Sequence, residues 1–244
     1  MKNVVKAFSC LVFSFVSVTA LAQDEPQWWS GLYAGGSYGF ARLNSGAHMN
    51  IDNGTEPCIG VGTGAGVTAC PIDYYASEIK PSALEIFTGW RFMEAFGGDI
   101  GAELRISQGL PETVFTFVDL TGSAIGLYGT YQTQGPVYLK GLLGVAQTSF
   151  DMDGGSDISV SESAIGASVG FAVGQKIFGG AIEIMYMIYP HVRLDQDQRQ
   201  TKFTYNPDGG SCPSSTAINC NDATITLSDK VKYGTLSVGY VYTF

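Results

Sequence analysis

The sequence predicts an all-β fold, an eight-stranded antiparallel transmembrane β-barrel with short periplasmic turns and long extracellular loops. Apolar residues alternate with a two-residue period along eight segments, the connections alternate between short and long, and the chain begins with an export signal. Strands of this kind can face lipid only as a closed barrel, which satisfies every backbone group. No later segment approaches the roughly 20 apolar residues that a transmembrane helix needs.

Residues 1–22 have the features of a cleaved secretory signal peptide. Lys2 and Lys6 supply the positive start, an apolar run begins at Ala7, and Ala20 and Ala22 are the small residues of a cleavage site. We therefore expect residues 23–244 to form one mature barrel domain. That domain holds 11 Lys+Arg against 22 Asp+Glu, a formal charge of −11, so it lacks the basic surface that nucleic-acid binding needs.

The first four predicted strands span residues 30–43, 80–92, 98–107 and 120–131. The first three of them carry their apolar residues on one face and their charged or small residues on the other. The residues expected to face lipid are Leu32, Ala34, Tyr38 and Phe40 in the first strand, Leu84, Ile86, Trp90 and Phe92 in the second, and Ile100, Ala102, Leu104 and Ile106 in the third. Trp28, Trp29 and Trp90 map to periplasmic strand ends, as expected for an interfacial aromatic girdle.

The fifth, sixth and seventh strands are predicted at residues 136–147, 162–174 and 180–193. Their apolar faces are Val137, Leu139, Leu143 and Val145, then Ile165, Ala167, Val169, Phe171 and Val173, then Ile182, Ile184, Tyr186 and Ile188. Turns are predicted at 93–97, 132–135 and 175–179. Loops are predicted at 44–79, 108–119, 148–161 and 194–229, which places both chain ends on the turn side of the barrel.

The last strand, residues 230–244, ends in a motif that resembles a known sequence signal. Ser237, Gly239, Tyr242 and Phe244 resemble the C-terminal assembly signal of Gram-negative outer-membrane barrels, and residues 29–36 resemble the first strand of the small opacity-protein and OmpA-like porin family. The resemblance implies a location in the bacterial outer membrane, with outer-membrane lipid and the barrel-assembly machinery as partners. The family is functionally mixed, so the role of the loops must be argued from this chain.

Six charged residues lie at positions that should point into the barrel. They are predicted to form a lumen charge network of Glu85, Arg91, Glu103, Arg105, Lys140 and Glu183, because charges on alternate positions of apolar strands are costly unless they are paired within a polar lumen. The interior of an eight-stranded barrel is only wide enough for side chains, which favours a plug of ion pairs. A gate that opens a narrow ion path by exchange of these pairs is the alternative.

Four cysteines remain in the mature chain: Cys58, Cys70, Cys212 and Cys220. An even number in an exported chain predicts disulfides, and three connectivities are possible. We favour the pairs Cys58 with Cys70 and Cys212 with Cys220, because each pair lies within one polar loop. No cysteine spacing typical of a metal site is present, and we expect neither a bound metal nor a cofactor.

The sequence leaves three hypotheses for function. The first is a non-enzymatic barrel with a structural or adhesin-like role in surface interaction, in which the first and fourth loops form a joint contact surface. The second is a narrow gated channel. The third is a lipid-modifying enzyme, for which His191, expected to face inward near the loop end, is the candidate base; Arg193 rather than a serine lies two residues beyond it.

The predicted loops are strongly acidic. They contain fourteen Asp and Glu residues and only two basic residues, Arg199 and Lys202. Such a surface attracts basic extracellular partners or divalent cations, and it repels lipopolysaccharide phosphates unless cations bridge the two.

Overall fold

Eight antiparallel strands close into a barrel in the computed structural model, which describes residues 31–52, 72–76, 78–114, 118–154, 159–177, 179–205 and 221–244. The strands, in order around the barrel, are β1 (Leu32–Asn44), β4 (Ser82–Ala95), β5 (Gly98–Gly109), β7 (Val118–Thr133), β8 (Val137–Asp153), β9 (Ser159–Ile177), β10 (Gly180–Ile188) and β14 (Lys230–Thr243). The last strand pairs with the first from Tyr33↔Thr243 to Asn44↔Lys232, so the wall is continuous. The predicted fold class is confirmed.

Among the described residues, six further strands lie at the loop end of the barrel. β2 (Ala47–Asp52), β3 (Ile72–Ala76), β12 (Gln200–Tyr205) and β13 (Asn221–Thr226) form a second sheet, which we call the loop sheet. β6 (Glu112–Val114) adds to β7, and β11 (Val192–Arg193) adds to β14. Three of the four predicted loops, at 44–79, 108–119 and 194–229, therefore contain additional strands.

The connections between β4 and β5 and between β7 and β8 are short, as the sequence predicts. Phe96 and Gly97 join β4 to β5 with φ values of 55° and 73°, the left-handed conformation that two-residue hairpins of this type require. Glycine is also needed where strands approach closely. A Cβ at Gly39 would lie 2.0 Å from the Leu236 carbonyl oxygen, and one at Gly144 would lie 2.0 Å from that of Leu127.

Strands β8 and β9 reach further toward the loop end than the sequence predicts. Residues 148–153 and 159–161 were predicted to be loop, yet they pair from Thr148↔Ala164 to Asp153↔Ser159. Thr148, Phe150 and Met152 point inward and are buried, while Ser149, Asp151 and Asp153 alternate with them. The polar outer face above the apolar belt made this stretch look like a loop.

The outward faces of the barrel strands carry the apolar residues that the alternation predicts. Exposed side chains include Phe40, Leu84, Trp90, Leu143, Phe171, Ile184 and Val238. Trp90 packs edge-on against Phe92, and Tyr242 against Phe244, at the turn end of the wall. These aromatic residues form a girdle there; Trp28 and Trp29 lie outside the described residues. In the described part of the chain, no helix is long and apolar enough to cross a membrane.

Candidate functional site

Five charged side chains cross the lumen in its turn-end half. We call this set the lumen network; its members are Glu85 on β4, Glu103 and Arg105 on β5, Lys140 on β8 and Glu183 on β10. Their side chains are at most 3% exposed. Alternation along each strand directs all five into the barrel, and closure of the wall brings them together across its diameter.

Each cation of the lumen network contacts two carboxylates. Arg105 places Nη1 2.9 Å from Glu85 Oε2 and Nη2 2.8 Å from Glu103 Oε1. Lys140 Nζ lies 2.6 Å from Glu103 Oε2 and 3.6 Å from Glu183 Oε1. Glu103 therefore links the two cations, and displacing either cation breaks two contacts at once.

Hydroxyl groups satisfy most of the remaining carboxylate oxygen capacity. Ser37 and Ser237 each donate a hydrogen bond to Glu85 Oε2 at 2.9 Å. Tyr33 donates to Glu103 at 2.9 Å and Tyr138 donates to Glu183 at 2.8 Å. Buried carboxylates are tolerated only when such partners replace water, so these hydroxyl groups are part of what keeps the network in place.

Aromatic rings pack against the cations of the network. The Arg105 guanidinium lies 4.2 Å from the Phe87 ring centroid, and Lys140 Nζ lies 4.9 Å from that of Tyr33. Tyr33, Phe87, Tyr138, Ala181 and Val241 form one buried cluster around the network. The rings exclude water, which strengthens the electrostatic contacts among the five charges.

Arg91 was predicted to belong to the network, and this prediction is wrong in one respect. It forms no ion pair with any described residue. Its guanidinium carbon lies 4.9 Å from the Tyr33 ring centroid, and its Nη2 donates a hydrogen bond to Thr243 Oγ1 at 3.3 Å. A β-bulge shifts the register of β4 between Arg91 and Met93, at the turn end of the strand. Arg91 thus lines a cavity of about 430 Å³ at that end, beside Gln132, Tyr138 and Lys176.

The loop-end half of the lumen is filled mainly by apolar and aromatic side chains. We call this filling the upper core; its larger members include Leu43, Leu120, Phe150, Met152, Met185, Met187, Tyr189 and Tyr233, each at most 3% exposed. The charges at alternate strand positions predict a polar lumen, and this prediction is wrong for the loop-end half. Inward-facing Met185 and Met187 in the seventh strand were the sequence signal for this core.

The upper core continues into the loop sheet, which joins the first and fourth loops. β2 pairs with β13 from Asp222↔Asp52 to Thr226↔His48, between β3 on one side and β12 on the other. Ala47, Met49, Ala223 and Ile225 are buried beneath this sheet and belong to the same cluster as the upper core. The expectation that these two loops lie side by side is thereby met, and their backbones are hydrogen-bonded to each other.

His191 does not point into the lumen as predicted. Ile188 pairs with Gly234 and Val192 pairs with Val231, so the chain from Ile188 to Val192 contains one residue more than the opposite segment. This extra residue reverses the alternation. His191 is exposed on the outer wall, while Val192 is buried inside.

The other sequence motifs fall partly outside the described residues. Cys58, Cys70, Cys212 and Cys220 all lie there, so their pairing stays a prediction. Of the expected assembly signal, Ser237 faces inward onto Glu85, Gly239 pairs with Ser37 across the closing seam, and Tyr242 faces outward. No group of three or more metal-ligating side chains occurs among the described residues.

Three solved outer-membrane proteins are similar to this chain at low sequence identity. Neisserial surface protein A is 16% identical with a TM-score of 0.48, and the match covers 88% of this chain and 98% of that one. Ail of Yersinia pestis, solved in complex with the heparin analogue sucrose octasulfate, is 12% identical with a TM-score of 0.40 over 84% and 99%. OprG of Pseudomonas aeruginosa is 14% identical with a TM-score of 0.39 over 88% and 98%.

A search of curated proteins returns no match. The model of the outer membrane protein beta-barrel domain family matches residues 8–244, which is nearly the entire chain. Together with the closed eight-stranded wall and its apolar outer face, this match shows that the chain belongs to the outer membrane protein beta-barrel domain family.

Proposed function

We propose that the protein is a non-enzymatic outer-membrane anchor whose role is to display the loop sheet to a partner outside the cell. The observation that carries the proposal is the pairing of β2 with β13, which joins two loops far apart in the sequence into one surface. A hydrogen-bonded sheet loses less conformational entropy on binding than two independent loops would lose.

The filled lumen supports an anchor over a pore. An ion crossing the barrel would have to pass the upper core, where Phe150, Met187 and Tyr233 are buried, and then the lumen network. Neither layer provides a continuous polar path, and moving a buried ion pair apart leaves uncompensated charges in a dry interior.

The partner class that best fits the loop end is cationic. Exposed carboxylates among the described residues there include Asp119, Asp153, Asp195, Asp197 and Asp229. A concentration of negative charge on one end of a membrane protein steers basic proteins or divalent cations toward it.

The experiment uses the full mature protein in detergent and a lysine-rich peptide as the probe. We expect Asp195→Asn/Asp197→Asn/Asp229→Asn to weaken peptide binding, with the loss diminishing at high salt. Glu94→Gln/Asp99→Asn, at the opposite end of the barrel, is the matched control and should bind as the unchanged protein does. Equal weakening in both variants would indicate a general charge effect and would contradict a role for the loop end.

Thr224→Pro tests the joined sheet itself. Thr224 pairs with Asn50 across the β2–β13 seam, and proline cannot donate to that ladder. We expect weaker binding of the peptide without loss of the heat-modifiable gel mobility that marks a folded barrel. Unchanged binding would count against the sheet as the contact surface.

Conductance measurements in planar bilayers distinguish an anchor from a narrow channel. A folded sample is expected to stay silent. Reproducible conductance steps that change in Glu103→Gln would instead make the lumen network a gate.

A further inference from the structure

The basic residues of this acidic protein are concentrated on one part of the outer wall. Five of the 11 Lys+Arg of the mature chain lie where the barrel meets the loop end. We call this set the basic wall patch; its members are Arg42, Lys80, Arg193, Lys230 and Lys232. All five side chains are exposed.

The strand register places the five residues next to one another. Arg193 pairs with Lys230, and Asn44 pairs with Lys232 across the closing seam of the barrel. The bridge between Leu43 and Ile79 places Lys80 opposite Arg42. Neighbouring strands lie about 4.8 Å apart, and alternate residues along one strand lie about 7 Å apart. The patch therefore covers only a few neighbouring strands and a few outward-facing positions along each of them.

The charge of the patch is only partly compensated within the protein. Glu78 lies 2.9 Å from Arg42 and 3.9 Å from Lys80, whose side chains remain 61% and 71% exposed. No ion pair involves Arg193, Lys230 or Lys232 within the part of the chain that the structure describes. Close, unpaired cations repel one another, so the patch is poised for an anionic ligand.

A groove of about 210 Å³ lies within the patch. Arg42, Asn44, His191 and Lys232 line it together with the apolar side chains of Tyr186 and Ile188. Below it, the outward residues are apolar, including Phe40, Ile184 and Leu236. The groove therefore lies at the boundary where the lipid-facing belt ends and basic side chains begin.

We propose that the basic wall patch binds the phosphate groups of lipopolysaccharide in the outer leaflet. The patch faces sideways into the lipid rather than outward into solution, and the apolar belt beneath it accommodates acyl chains while the cations contact the headgroup phosphates. Lysine and arginine form charge-assisted hydrogen bonds with phosphate oxygens. The acidic loops are expected to repel lipopolysaccharide, whereas the basic wall patch places five cations on the wall beside the apolar belt.

Binding of purified bis-phosphorylated lipid A to the full mature protein in detergent tests this proposal. Arg42→Gln/Lys230→Gln/Lys232→Gln is expected to weaken binding about a hundredfold, since each cation near an anionic lipid surface contributes about fivefold. The control Lys176→Gln removes exposed positive charge at the turn end and should bind lipid A as the unchanged protein does. Heat-modifiable gel mobility confirms that each variant is folded.

Two further binding measurements on the unchanged protein distinguish the source of the phosphate. Dephosphorylated lipid A should bind the unchanged protein far more weakly than the phosphorylated form. Inorganic phosphate at equal concentration should not displace lipid A. Equal binding of both lipids, full displacement by inorganic phosphate, or wild-type affinity in a folded triple variant would each overturn the proposal.

Discussion

The lumen network and the basic wall patch use the same residue types in opposite environments. In the lumen, Arg105 and Lys140 are at most 2% exposed and each contacts two carboxylates. On the wall, Arg42 and Lys80 are mostly exposed and share one carboxylate, Glu78. A cation inside the barrel therefore contributes mainly to folding, whereas a cation on its surface is available for a ligand.

The largest effect is expected from Glu103→Leu. Glu103 contacts Arg105 and Lys140, and its loss leaves two buried cations short of a partner. Removing one member of a buried network typically lowers the free energy of unfolding by about 3–5 kcal/mol. Urea unfolding in lipid vesicles, followed by tryptophan fluorescence, measures this loss in the free energy of unfolding.

The matched control for Glu103→Leu is Glu94→Gln, an exposed carboxylate at the turn end of β4. If Glu103→Leu cost no more than about 1 kcal/mol, the usual limit for an exposed ion pair, the contrast between lumen and wall would fail.

A somewhat smaller effect is expected from Met187→Ala in the upper core. Met187 is fully buried, so the change leaves a cavity and should lower the free energy of unfolding by about 2–5 kcal/mol. Its neighbour Ile188 points outward and is 43% exposed, and Ile188→Ala should cost less because lipid fills the vacated space. Equal losses for the two, measured by the same unfolding assay, would mean that the lumen is not tightly packed.

The smallest effect on stability is expected from Lys230→Gln/Lys232→Gln. Both side chains are exposed, and substitutions at such positions usually change the free energy of unfolding by no more than about 0.5 kcal/mol. The same variant should nonetheless bind lipid A more weakly. A large loss of stability would show that these lysines act in folding, and it would remove the distinction between the two regions.

The strand faces could be predicted from the sequence because side chains alternate strictly wherever the ladder is regular. Glu85, Glu103, Lys140 and Glu183 follow that rule, and all four lie in the lumen. Where one strand carries an extra residue the rule fails, as at His191, whose side is reversed. No local signal in the sequence marks that irregularity.

The upper core was missed for a different reason. Phe150 and Met152 lie in a stretch whose other face is polar, and they become core only because β8 and β9 continue to pair there. The loop sheet likewise depends on pairing between segments more than 150 residues apart, β2 and β13. Such contacts have no periodic signature along the chain.

The sequence alone determined the class of fold, the number of barrel strands, the direction of most side chains and the segregation of acidic residues into the loops. These properties are local, because alternation, turn residues and composition act within one strand or one connection. Only the tertiary structure decided which charges meet, that the upper lumen is apolar, and that scattered basic residues form one patch. Those properties arise on closure, since the seam between β1 and β14 brings the two ends of the chain together.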